Sequence, residues 1–170
     1  MRRVSPQETE AQQTHIVLPS HSNAHGNAFG GQIVAWTDIC AAVSAQRFAR
    51  RPVVTASIDE LHFLQAVKVG MIVELRSMVN RAWTTSMEVG VRIEAEHPRT
   101  GERSHCCSAY LTFVALRDAD EDKDAPIVLP ELLVDQAEIW RRRHHEAQLR
   151  RDHRLKTLSL IHISEPTRPY

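Results

Sequence analysis

The 170-residue chain lacks several features that mark particular classes of protein. Its three cysteines, two of them adjacent, form neither a disulfide framework nor a CxxC redox pair, which fits a reducing compartment. No apolar run reaches the ~18–20 residues that span a membrane, and the start "MRRVSPQETEAQQTH" has no apolar signal-peptide core. The formal net charge is zero, which disfavours a nucleic-acid partner bound through counterion release. We therefore expect a cytoplasmic protein, in preference to a mitochondrial one.

Familiar catalytic signatures are also missing. The sequence has no G-x-S-x-G elbow, no P-loop and no dinucleotide-binding fingerprint. It has ten histidines, but no pair has metal-ligand spacing together with a third ligand, so we expect no metal site. Cys106 and Cys107 alternate along an extended segment. We expect one of them to face inward and one outward, as small packing residues rather than nucleophiles.

The length and composition of the sequence predict one compact domain. Residues 1–12 are polar and predict a flexible N-terminus. A glycine-containing loop follows, and residues 32–48 are then apolar almost all round, which is typical of a buried helix.

After this helix the apolar period changes to two. Four extended segments, at 52–63, 71–82, 83–97 and 104–117, alternate apolar and polar residues. In the third, Met87 to Ala95 place their apolar side chains on one face, with Glu88, Arg92 and Glu94 on the other. The pattern predicts an α+β fold, an antiparallel sheet wrapped around one long central helix.

The C-terminal third has a different character. Residues 118–130 are acidic and predict a linker, and residues 131–157 predict a helix that is basic in its second half. Between Arg141 and Lys156, seven Lys or Arg residues face two acidic ones, a local charge of +5. Residues 158–170 show no periodicity and resemble translated sequencing adaptor, so we assign them no fold.

Asp38 lies in the middle of the apolar helix. Burial of an unpaired carboxylate costs several kcal/mol, so the side chain is either hydrogen-bonded in a core or interface, or used in a cavity. Spacing alone gives these alternatives about even weight. Gly30 and Gly31 lie at the helix N-terminus, where free N–H groups favour an oxyanion. Asp38 lies ~10–12 Å further along the axis, so a second copy of the chain could bring the two groups to one atom.

The segments "HGNAFGGQIVAWTD", "VVTASID", "FLQAVKVG", "NRAWTTSMEVGV" and "SAYLTFVAL" carry a resemblance to a known family. In their order and spacing, residues 13–117 resemble the hotdog-fold acyl-coenzyme A thioesterases. The resemblance implies hydrolysis of acyl-CoA to fatty acid and CoA. It implies Asp38 as general base or nucleophile and Asn27, from the opposite subunit, as its partner. Gly30 and Gly31 would polarise the thioester carbonyl.

The same resemblance implies the remaining site residues and partners. Coenzyme A is part of the substrate, so no cofactor is expected. The positions expected near the CoA moiety are Val54, Thr55, Thr84, Thr85 and Ser86, and the basic helix adds Arg150 and Arg151 as candidates for its phosphates. A solvated helix is the alternative for that basic segment.

One hotdog domain is present where the animal relatives carry two, so either a homodimer, possibly a trimer of dimers, or a missing second domain completes the site. A non-catalytic module that binds acyl-CoA or acts as an oligomerisation scaffold is the alternative function.

Overall fold

The computed structural model describes residues 2–59, 61–122 and 124–164, with side chains described up to residue 159. A long helix, α1, packs against one face of a five-stranded antiparallel sheet of order β2-β4-β5-β6-β3, which confirms the predicted hotdog fold. The elements in chain order are β1 (Arg3–Val4), β2 (Ala11–Ile16), α1 (Gly30–Ala49), β3 (Val53–Asp59), β4 (Ile72–Ala82), β5 (Ser86–Glu96), β6 (Arg103–Ala115), β7 (Glu131–Leu132) and α2 (Glu138–Ser164). Short 3₁₀ turns lie at Pro6–Thr9 and Pro19–His21.

The core lies between α1 and the inner face of the sheet. Alternate residues of β5, from Met87 to Ala95, point into it as the period-two pattern predicts. The buried face of α1 combines large side chains, Ile33, Trp36 and Phe48, with small ones such as Cys40 and Ala41. Polar groups in this core are paired: the Ser77 hydroxyl donates to the Cys40 carbonyl and is 2.7 Å from the Ser44 hydroxyl. Hydrogen bonding of this kind removes most of the cost of burying hydroxyl groups.

The expectation that α1 is buried on all sides is wrong. One stripe of the helix is exposed and mostly apolar: Ala35 is exposed and Ile39 keeps 55% of its surface accessible. The apolar-all-round pattern is therefore divided between two surfaces. The sheet covers one, and the other is the kind of exposed apolar surface that marks an interaction site.

The outer face of the sheet also differs from expectation. Glu88 was assigned to a polar, solvent-facing surface, yet only 1% of its side chain is exposed. It accepts hydrogen bonds from Asn80 Nδ2 at 3.0 Å and from Arg150 of α2 at 2.7 and 3.0 Å. The Arg150 guanidinium also lies 3.6 Å from the centre of the Tyr110 ring. Helix α2 thus covers part of the outer face through a buried ion pair.

Both Cys106 and Cys107 are buried, so the prediction that one faces outward is wrong. The strand register explains this. Cys107 pairs with Ile93 and His105 pairs with Glu94, which leaves Cys106 as the extra residue of a β-bulge. Burial raises the pKa of the Cys107 thiol to about 12, which fits a packing role.

Two further boundaries need correction. Residues 2–12 are not a loose terminus: β1 pairs in parallel with β7, and the buried Thr9 hydroxyl accepts the Val79 N–H at 3.0 Å. The C-terminal helix begins at Glu138 instead of residue 131, because residues 131–132 form β7. It runs on to Ser164, into the segment to which we assigned no fold, and residues 165–170 lie outside the described residues.

Candidate active site

The Asp38 carboxylate lies on the exposed stripe of α1, half-buried within the chain. Its Oδ1 accepts a hydrogen bond of 2.7 Å from the Thr55 hydroxyl on β3. The helix therefore does not carry an unpaired carboxylate in its core. The Thr55 hydroxyl holds the Asp38 carboxylate in place on one side.

Thr55 lies on β3, an edge strand of the sheet. Because Thr55 pairs with the inward-facing Phe113, its side chain points toward α1, while the neighbouring Val54 points to the other face. Only Thr55 of these two predicted CoA contacts touches Asp38. The sequence did not predict the Asp38–Thr55 contact, which joins residues 17 positions apart.

The helix N-terminus at Gly30 and Gly31 is open to a ligand in one respect. The residue before the helix, Phe29, makes no capping hydrogen bond through its side chain, so α1 lacks the side-chain cap that usually occupies its first N–H groups. Two aromatic rings flank the glycines. A methyl group on Gly30 would lie 3.6 Å from the Phe63 ring, and one on Gly31 would lie 2.6 Å from the Phe29 ring.

Two asparagines lie in the loop before these glycines. Asn27 forms a bridge with Lys68, and its backbone contacts Asn23 in both directions. The Asn23 Oδ1 accepts the N–H groups of His25 at 2.9 Å and of Asn27 at 3.2 Å. This Asx-type turn fixes the Asn23 carboxamide and leaves its Nδ2 as a donor for a ligand. Asn23 is not among the site residues expected from the sequence, although an asparagine three residues before a glycine is a typical signal of a turn.

The hairpin that joins β4 to β5 carries Thr84, Thr85 and Ser86. Thr55 pairs with Phe113, which pairs with Met87, so this hairpin lies at the same end of the sheet as Thr55. Two strand spacings separate them, about 10 Å.

Arg150 and Arg151 lie on α2, beyond the sheet from Asp38. Arg150 is engaged by Glu88, whereas Arg151 lies 4.3 Å from the centre of the Trp83 ring. Of the two predicted phosphate ligands, only Arg151 is without a carboxylate partner among the described residues.

Within residues 2–59, 61–122 and 124–164, no group of three or more His, Cys, Asp and Glu side chains could hold a metal ion. None of the helices in the described part of the chain is long and apolar enough to cross a membrane. The arrangement thus offers a carboxylate, a hydroxyl, amide donors and an apolar surface.

Comparison with known proteins shows the family to which the chain belongs. Residues 25–102 match the Thioesterase superfamily model. The chain is 40% identical over 124 residues to the uncharacterized acyl-CoA thioester hydrolase YkhA of Bacillus subtilis, covering 73% of this chain and 72% of that protein. It is also 40% identical over 115 residues to acyl-coenzyme A thioesterase 11 of Mus musculus, covering 68% of this chain but only 19% of that protein. The chain belongs to the thioesterase superfamily, in its acyl-CoA thioester hydrolase branch.

The chain is also similar to solved structures of proteins of this family. An apo-hexameric acyl-CoA thioesterase superposes with a TM-score of 0.85 at 34% identity, covering 94% of this chain and 99% of that one. An acyl-CoA hydrolase from Staphylococcus aureus, in complex with butyryl coenzyme A, coenzyme A and coenzyme A disulfide, superposes with a TM-score of 0.80 at 29% identity. This second pair covers 96% of this chain and 99% of that one. Three further structures of the S. aureus enzyme each carry one substitution to alanine. The residues replaced are an aspartate, an asparagine fifteen residues before it and a threonine seventeen residues after it.

Proposed function

We propose that the protein hydrolyses the thioester of acyl-coenzyme A to a fatty acid and free coenzyme A. The observation that carries the proposal is the Asp38 carboxylate, held by Thr55 on the exposed stripe of α1. A non-catalytic module has no need of an oriented carboxylate on an otherwise apolar surface. The relatives' names support the same chemistry, but the chain spans only about a fifth of the mouse protein.

The reaction requires attack on a carbonyl carbon and departure of a thiolate. As general base, Asp38 takes a proton from water while the water oxygen bonds to the thioester carbon. The C–S bond then breaks, and the CoA thiolate leaves and is protonated. As nucleophile, Asp38 bonds to that carbon itself and displaces the CoA thiolate, which is protonated, and water then hydrolyses the resulting anhydride to the fatty acid and free Asp38. In both cases the N–H groups at Gly30 and Gly31 stabilise the carbonyl oxygen as negative charge develops on it.

The site is completed by a second copy of the chain. Asp38 is seven to eight residues into α1, about 10–12 Å from the glycines, so one helix does not bring both to the same carbonyl. The exposed stripe around Ile39 and the free edge of β3 supply an apolar surface and a strand edge for pairing. A homodimer, assembled further into a trimer of dimers, would provide two-chain sites, and a solved relative is hexameric.

The loop asparagine that assists Asp38 has two candidates. Asn27 is the position that the family resemblance implies. Asn23 has the better support from this chain, because its amide is fixed by two backbone hydrogen bonds. Asn23 also lies fifteen residues before Asp38 and Thr55 lies seventeen after it, the spacing of the three residues replaced in the S. aureus structures. We assign the role to Asn23, with Asn27 as the alternative.

Coenzyme A would extend from the thioester toward the β4–β5 hairpin. Thr84, Thr85 and Ser86 offer hydroxyl and backbone donors at the same end of the sheet as Thr55. Val54, on the far side of β3, is a weaker candidate, and so is Arg150, because Glu88 already engages its guanidinium. The cytoplasmic location expected from the composition stays a prediction.

Release of free thiol from acyl-CoA esters of increasing chain length tests the function directly. The assay compares wild type with Asp38→Asn, Asn23→Ala and Asn27→Ala. We expect turnover by wild type, loss in Asp38→Asn, and a larger loss in Asn23→Ala than in Asn27→Ala. If wild type binds acyl-CoA but releases no thiol, the protein is the non-catalytic binding module instead.

A further inference from the structure

Two arginines from different elements converge on one tryptophan beside the β4–β5 hairpin. Arg81, near the end of β4, lies 5.9 Å from the centre of the Trp83 ring, and Arg151 of α2 lies 4.3 Å from it. Trp83 is itself fixed, because its indole N–H donates to Gln148 Oε1 at 2.9 Å. The two cations and the ring therefore form a built cluster instead of a chance surface contact.

Among the described residues, no carboxylate pairs with either of the two arginines of this cluster. Elsewhere α2 pairs its arginines with sheet carboxylates, Arg150 with Glu88 and Arg154 with Asp59. In the described part of the chain, neither Arg81 nor Arg151 lies within ion-pair distance of a carboxylate. Burial lowers the pKa of Arg151, and the charges of Arg154 and Arg81 lower it further, against Asp152, which raises it. The chain thus holds like charges near each other at an energetic cost.

The cluster also contains buried hydrogen-bonding atoms without a partner. Arg81 Nη1 donates to the His144 carbonyl at 3.1 Å, but Arg81 Nε and Arg151 Nη1 are buried and donate to no atom of the described protein. Each unsatisfied buried donor costs ~1–3 kcal/mol. Two such donors, on two arginines that lie beside one ring, favour a site for an oxyanion.

We infer that Arg81 and Arg151 bind a phosphate group beside Trp83. Guanidinium groups suit phosphate because they donate two parallel N–H groups to its oxygens. In the strand register, the backbone of Arg81 lies opposite that of Glu88 on β5. Three strand spacings, about 14 Å, separate its strand from that of Thr55 across the sheet. On the proposed function, that separation suits the nucleotide phosphates of coenzyme A, which the pantetheine arm holds away from the thioester. A separate phosphate ligand has the same chemistry.

Thermal unfolding with pyrophosphate as the probe tests the site without any assay of activity. At about ten times its dissociation constant, a bound ligand should raise the Tm of a 170-residue chain by about 3–6 °C. Wild type should show this rise, and Arg151→Gln should lose it. Arg142→Gln is the matched control, because Arg142 lies on the same helix, is exposed and pairs only with Glu146. It should respond to pyrophosphate like wild type.

A second comparison separates a binding role from a structural one. Without pyrophosphate, Arg151→Gln should unfold within about 2 °C of wild type, because relief of repulsion and removal of a buried unpaired donor offset the lost contact with the Trp83 ring. Arg151→Lys keeps the charge but not the paired donors, so it should retain less than half of the pyrophosphate shift. Equal pyrophosphate shifts in wild type and Arg151→Gln, or no shift in wild type, would overturn the inference.

The source of the phosphate is then decided with substrates. If the group belongs to coenzyme A, Arg151→Gln should raise KM for the CoA ester and leave KM for the matching pantetheine ester, which lacks the nucleotide phosphates, unchanged. If Arg151→Gln leaves KM for both esters unchanged although it loses the pyrophosphate shift, the phosphate belongs to a separate ligand. Absence of any turnover would refute the proposed function but leave the thermal result standing.

Discussion

Replacement of Arg150 by alanine should destabilise the protein without touching the catalytic surface. The Glu88 side chain is 1% exposed, and its carboxylate accepts three hydrogen bonds, two of them from Arg150. Burial alone would lower the pKa of Arg150, but the hydrogen bonds and charge of Glu88 outweigh it and raise the pKa. In the variant, the Asn80 amide is the one donor left of the three that the Glu88 carboxylate has in the described structure.

The size of the effect follows from this arrangement. Loss of one partner from a buried ion pair costs ~3–5 kcal/mol, and the lost contact with the Tyr110 ring adds about 0.5–1 kcal/mol. Because 20% of the Arg150 side chain is exposed, water can partly solvate the orphaned carboxylate, so we take about 3–4 kcal/mol. For a chain of this length, that is a fall in Tm of about 10 °C, out of a total stability of about 5–15 kcal/mol.

The assay is thermal or urea unfolding at a fixed protein concentration, since association shifts the midpoint. The matched control is Glu88→Leu/Arg150→Leu, which removes both charges and should unfold within a few degrees of wild type. Arg142→Gln, which loses only an exposed pair with Glu146, should change the Tm by less than about 2 °C. If Arg150→Ala unfolds within 2 °C of wild type, or if the double variant is as unstable as the single one, the buried pair does not stabilise α2 on the sheet.

Three further changes test the catalytic surface and the core. Asp38→Asn should lower kcat by ~10²–10⁴-fold, since an amide cannot accept the proton from water, with Tm equal to wild type or higher; turnover within threefold of wild type would contradict the mechanism. Ile39→Glu, on the exposed stripe, should leave a folded but inactive monomer in sedimentation velocity, and an active monomer would refute the shared site. Burial and the charge of His21 lower the pKa of His15, so the unfolded chain binds the proton more readily. Tm should therefore fall as the pH drops below about 6.5, and less so in His15→Phe, which keeps the stack on Trp36.

The sequence predicts the local elements of this fold because they follow from periodicity. Helix α1 runs from Gly30 to Ala49, close to the expected 32–48, and the inward residues of β5 are those that the period-two pattern assigned to the core. The spacing of apolar residues does not show what covers each face of a strand. Glu88 looks the same in the sequence whether its face meets water or α2, and the pairing with Arg150 joins residues 62 positions apart.

The candidate site was predicted in part, and for different reasons. Asp38 is conspicuous because a carboxylate interrupts an apolar run, and the Gly30–Gly31 pair is recognisable at a helix start. Its neighbour Thr55 was expected only as a CoA contact, because a hydroxyl on a strand carries no local signal of its partner on a helix. Asn23 escaped attention because its role depends on the conformation of the loop, where Oδ1 is used for the backbone and Nδ2 remains as a donor.

The two faces of the sheet are covered by different helices, α1 on the inner side and α2 on part of the outer side. On the inner side, α1 presents Asp38 and an exposed apolar stripe, the surface that we propose is completed by a second copy. On the outer side, α2 neutralises Glu88 and Asp59 with Arg150 and Arg154. It leaves Arg151 without such a partner, beside the hairpin at the same end of the sheet as Thr55. Among the described residues no carboxylate pairs with Arg151, and on the phosphate-site inference this gives α2 a part in substrate recognition as well as in the fold.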